Sequence, residues 1–110
     1  MSKSSIITGD RATLLTGLAP VHPGEILEDE IVELGISASQ LARAIDVPCN
    51  RVTEICRRQR GISADTALRL AYFFGTSAHF WLNLQQSYDL AVTEQERGEE
   101  IANRVRPHAV

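Results

Sequence analysis

The chain has 110 residues, a formal net charge of −3 and an apolar fraction of 44%, enough for one compact domain that withdraws somewhat over ~60% of its unfolded surface from water. No apolar run approaches the ~20 residues that would span a bilayer, and the N-terminus lacks a continuous signal-peptide core, so a cytoplasmic protein with no membrane partner is expected. Net negative charge argues against a polyanionic partner only when the charges are evenly spread. Here Arg51, Arg57, Arg58 and Arg60 crowd one segment with only Glu54 against them, whereas Glu25, Glu28, Asp29, Glu30 and Glu33 load another. A basic face and an acidic one are expected.

In chain order, residues 1–21 mix Ser, Thr and Gly with short apolar pairs such as Ile6-Ile7 and Leu14-Leu15 and show no sustained period. They read as a loosely ordered arm, either a disordered leader or a segment that orders against a partner. His22-Pro23-Gly24-Glu25 opens a helix, with Pro23 at its first position and Glu25 at the positive end of the dipole. Leu27, Ile31 and Leu34 mark its buried stripe, and Gly35 stops it.

The stretch from Ser37 to Gly61 predicts two short helices joined by a tight turn. Ser37 as N-cap and Gln40 three residues on form a capping box. Leu41, Ala42 and Ile45 make a narrow apolar stripe, and Ala42 is small enough to let a second helix cross close by. Asp46 tolerates the left-handed backbone of a sharp turn, Val47 buries beneath it, and Pro48 suits the first position of the next helix. Val52 and Ile55 then point back at the first helix, leaving Cys49, Asn50, Arg51, Thr53, Glu54 and Arg57 facing outward. Asn and Arg offer bidentate hydrogen bonds to base edges, while Thr and Cys are small enough to approach them. Arg57, Arg58 and Arg60 stand at the exit, where Gly61 supplies the stop.

Ser63 caps a fourth helix with Asp65 in its first turn and Ala67, Leu68, Leu70, Ala71 and Phe74 as a packing face. Gly75 ends it. Ser77 caps a fifth, in which Phe80, Trp81, Leu84 and Tyr88 recur at helical spacing; Trp81, Leu84 and Tyr88 are expected to share in a homodimer contact. Thr93 and Glu96 form a further capping box, but Gly98 and the charged surroundings predict a frayed last helix and tail over residues 93–110.

The ordered run of HPGEIL at 22–27, GISADTALRLA at 61–71, FGTSAHFWLNLQ at 74–85 and YDL at 88–90 resembles the HigA family of antitoxins, and the stretch around Asp46 resembles the helix-turn-helix of phage-repressor-like (XRE-type) proteins. Many relatives have Gly where this chain has Asp46, and Pro-Glu where it has Ala78 and His79. The resemblance implies an all-α, five-helix lambda-repressor-like DNA-binding domain over 22–92, with a sixth, C-terminal helix left open. It also implies a homodimeric repressor of its own operon that binds double-stranded operator DNA with an inverted repeat and neutralises a RelE-like, mRNA-cleaving toxin. The candidate DNA-binding set is Ser37, Ser39, Gln40, Pro48, Cys49, Asn50, Arg51, Thr53, Glu54, Arg57, Arg58 and Arg60. The alternatives are an orphan repressor without a toxin and a protein-binding adaptor that keeps the fold without DNA activity.

Catalysis finds no support. His22, His79 and His108 are isolated from any Ser or Cys constellation, and neither an HExxH pattern nor a glycine-rich phosphate loop occurs, so no enzyme, cofactor or metal is expected. Cys49 and Cys56 are seven positions apart on one helix, about 10 Å along its axis, too far for a disulfide. They read as reduced thiols.

Overall fold

The computed structural model describes residues 19–109; the expected N-terminal arm lies almost wholly outside them. Among the described residues the chain is all-helical: α1 (Pro23–Leu34), α2 (Ala38–Ala44), α3 (Cys49–Cys56), α4 (Ala64–Phe74) and α5 (Ala78–Arg104). Val21–Gln86 forms one compact unit, and the stretch from Ser87 belongs to another.

The caps follow the local chemistry. His22 caps α1, its Nδ1 accepting from the Gly24 N–H at 2.9 Å. Ser37 and Gln40 complete the capping box of α2, each side chain bonded to the other residue's backbone N–H. Ser63 caps α4, and Ser77 accepts from the Phe80 N–H at the start of α5. These bonds satisfy donors that a helix start leaves without an intrahelical partner.

The ends of α1 to α4 share one device, a residue in the left-handed region followed by a 6→1 backbone bond. Gly35 (φ 71°) closes α1, with Ile36 N–H on the Ile31 carbonyl, and Gly75 (φ 74°) closes α4. Asp46 (φ 61°) does the same after α2, as its residue type predicts, with Val47 N–H on the Ala42 carbonyl at 3.0 Å. The end of α3 departs from expectation. Arg58 (φ 64°) takes the left-handed position and Gln59 N–H reaches the Glu54 carbonyl at 2.8 Å, so the helix stops before Gly61. Gly61 instead lies against the Gln85 side-chain amide, whose Oε1 accepts from Ile62 N–H at 2.7 Å, and a Cβ there would have to displace that amide.

The core of this unit joins Leu27 and Ile31 of α1, Leu41 and Ala42 of α2, Val52 and Ile55 of α3, and Ala67 and Leu70 of α4, with Ile45, Ile62 and Trp81. Leu34 and Leu68, expected in the buried stripes, are 54% and 52% exposed. Leu34 is the last residue of α1, beside the turn at Gly35 and beyond the last buried position of that helix, Ile31. On α4 the buried positions are Thr66, Ala67, Leu70 and Ala71. At about 100° of rotation per residue these define one face, and Leu68 falls on the far side of it.

Two further expectations are corrected. Pro48 is the N-cap of α3 (φ −61°, ψ 146°), one place earlier than expected, because the first bond of the turn runs from Arg51 N–H to the Pro48 carbonyl. No sixth helix starts at Thr93: α5 continues through Thr93 and Gly98 to Arg104. A glycine inside a helix costs roughly 0.5–1 kcal/mol, too little to break a run of good helix formers. Glu100 adds ion pairs to Arg97 and Arg104, both at 3.4 Å.

Candidate nucleic-acid interface

The outward face of α3 rests on the α2–α3 crossing. Val52 and Ile55 are buried beneath it, at 1% and 0% exposure, which fixes the opposite side of the helix towards solvent. At the first turn Cys49 Sγ donates to Ser39 Oγ at 3.5 Å, and Thr53 Oγ1 donates to the Cys49 carbonyl at 2.9 Å. The hydrogen bond with Ser39, then that with Thr53, and the charge of Arg43 hold the Cys49 thiol below its ordinary value, whereas burial pushes Cys56 up. Both cysteines are free thiols. Asn50 is exposed, and its side chain makes no hydrogen bond to another described residue. Ser37, Ser39 and Gln40, with Pro48, are exposed on the approach to this turn, although Gln40 Oε1 is committed to its cap.

The arginines divide. Arg58 Nε lies 3.4 Å from Glu25 of α1, and Arg60 holds Glu54 Oε1 at 2.8 Å. Arg51 Nη1 donates to Asp65 Oδ2 at 2.8 Å. Arg57 alone of the four expected cations has no ion pair among the described residues. The expected basic face is corrected in part: Glu25 of α1 and Asp65 of α4 join Glu54 among the arginines, while Glu28, Asp29 and Glu33 stay exposed on α1. Long-range pairing between helices has no local sequence signal.

Sequence reasoning also missed Arg69. Its Nε donates to Asp65 at 2.9 Å, and its Nη1 donates to the carbonyls of Ile45 at 2.8 Å and Asp46 at 3.1 Å, pinning the turn between α2 and α3. The hydrogen bond from Arg69, followed by its charge and the contacts of Arg51, holds the Asp65 carboxyl below its ordinary value. The i,i+4 spacing of Asp65 and Arg69 was a visible hint of the pair, but not of the carbonyls.

Trp81 leaves the expected self-association surface. It is 1% exposed, packs at a tilt on Phe74 with ring centroids 5.5 Å apart, and donates from Nε1 to Thr76 Oγ1 at 3.0 Å. Leu84 is partly buried against the same core, and Tyr88 is half-exposed. Among the described residues no group of three or more His, Cys, Asp or Glu could hold a metal ion, and no helix is long and apolar enough to cross a membrane.

No family model matches the chain. Virulence-associated protein I of Dichelobacter nodosus is 53% identical over 78 residues, covering 70% of this chain and 72% of that protein. An addiction module antidote protein of the HigA family from Coxiella burnetii is 50% identical, with a TM-score of 0.80 over 83% of this chain and 100% of its own. The chain belongs to the HigA family of antitoxins. Pseudomonas aeruginosa antitoxin HigA, solved with the higBA promoter, is 49% identical with a TM-score of 0.78, covering 82% of this chain and 99% of that one. The five helices are thus a HigA-type fold with an XRE helix-turn-helix, and the family is one of antitoxins and DNA-binding regulators, not enzymes.

Proposed function

We propose that the chain is the antitoxin of a HigBA-type module, which represses its own operon by binding operator DNA as a homodimer and neutralises a RelE-like, mRNA-cleaving toxin. The observation that carries the DNA half is the first turn of α3, where Asn50 stands exposed, unpartnered among the described residues, on a helix whose other side is locked into the core. Recognition helices meet base edges with this end, and Asn pairs with the N6 and N7 of adenine. Cys49 and Thr53 flank it as small contact groups. Ser37, Ser39, Gln40 and Pro48 approach the backbone beside it. Binding of the purified protein to DNA from its own promoter, and co-purification with the product of a neighbouring toxin-like reading frame, test the two halves. No preference for the promoter over unrelated duplex would overturn the first, and failure to retain the toxin the second.

Leu84 and Tyr88 remain as candidates for the dimer contact, which would set two α3 helices about 34 Å apart on successive major grooves. For the toxin, the exposed carboxylates Glu28, Asp29 and Glu33 on α1 offer a surface to a basic protein.

The ion pairs reorder the phosphate contacts. Arg57→Ala should weaken operator and scrambled duplexes alike and reduce the salt slope of log K by about one unit. Arg58→Ala and Arg60→Ala should do less, because those cations must first leave Glu25 and Glu54. Titrations at several salt concentrations check this; equal slopes lost by all three variants would show that the pairs do not hold in solution.

A further inference from the structure

A chain of charge-assisted hydrogen bonds ties the start of α4 to the turn and the first turn of α3 in the helix-turn-helix. Asp65, in the first turn of α4, takes Arg51 of α3 and Arg69 on the same carboxylate oxygen, at 2.8 and 2.9 Å. Arg69 continues to the carbonyls of Ile45 and Asp46. Those two carbonyls lie past the end of α2, where no helical N–H reaches them, and Asp46 is held in a left-handed conformation that a non-glycine residue adopts at a cost. The turn that sets α3 against α2 is thus held by a side chain from α4, and α3 itself is tied to the same carboxylate through Arg51.

We infer that Asp65 and Arg69 are positioning residues for operator recognition: they set the angle at which α3 is presented, and they hold Arg51 back from DNA. The inference rests on the operator-binding reading. It has an unusual sign. Removing a carboxylate beside a DNA-binding face ordinarily strengthens binding to every duplex, because it removes repulsion of phosphate. Here Asp65→Asn frees Arg51 as a cation but loosens the presentation of α3, so scrambled DNA should bind tighter while the operator binds more weakly.

The test compares operator and scrambled duplexes for wild type, Asp65→Asn, Arg69→Met and the double variant. The expected result is a fall of about tenfold in the operator-to-scrambled ratio, comparable to one mismatched base pair, for each single variant and no further fall for the double. Arg69→Met keeps an apolar stem on α4 and should not gain affinity for scrambled DNA. Asp65→Glu, which keeps the carboxylate, should restore most of the ratio. An unchanged or raised ratio in Asp65→Asn overturns the inference. A wild type that does not distinguish the duplexes defeats the operator reading instead, and amide exchange in the free protein then decides the positioning role. The Val47 amide, bonded to the Ala42 carbonyl across the turn, should exchange about tenfold faster in both single variants while the α1 amides keep their protection. Unchanged exchange at Val47, or equal loss of protection in α1, overturns it.

Discussion

Trp81→Ala should lower the stability of the Val21–Gln86 unit by about 3–5 kcal/mol, the usual cost of emptying a fully buried aromatic site. The indole is 1% exposed, is flanked by Phe74 and Phe80 with centroids 5.5 and 5.0 Å away, and gives its N–H to Thr76. Truncation leaves a cavity and a hydroxyl without its donor. Because a domain of this size has a total stability of only about 5–15 kcal/mol, the loss is a large share of it. Denaturant unfolding read at two protein concentrations checks the result. A cost under about 1 kcal/mol, or one that vanishes on dilution, would return Trp81 to the self-association surface where the helical spacing of its aromatic stripe puts it.

Gly24→Ala should cost about 1–3 kcal/mol through overpacking. The start of α1 comes so close to α3 that an added methyl group would collide with the Ile55 carbonyl oxygen and touch His22 Nδ1. Backbone cannot give way as a flexible side chain can, and His22 is held by its cap bond to Gly24 itself. Relief requires α1 to move off α3, so the variant should also bind operator DNA more weakly. Unfolding free energy and operator affinity measured on one preparation check both; a stability within about 0.5 kcal/mol of wild type would show that the approach is looser.

The sequence was most legible where the rules are local. The Ser37–Gln40 capping box, the left-handed Asp46, the glycine ends at Gly35 and Gly75, and the inward set Leu41, Ala42, Ile45, Val52 and Ile55 all follow from close neighbours in the chain. What it hid depends on distant parts of the chain. Arg69 meets Ile45 and Asp46 from 24 and 23 residues away, Gln85 meets Ile62 from 23, and Arg58 meets Glu25 from 33. Nothing in the local pattern around Arg51, Arg58 or Arg60 distinguishes a paired cation from Arg57, which has no ion pair among the described residues. The Thr93 capping box misled for the opposite reason: a motif that can start a helix does not stop one already running.

Whether the first turn of α3 reads bases is decided by titrating Asn50→Ala against operator and scrambled duplexes at matched salt. Loss of a bidentate contact to one base predicts about 1–3 kcal/mol weaker binding to the operator, relaxed discrimination at one position, and scrambled binding essentially unchanged. Equal losses on the two duplexes would contradict it.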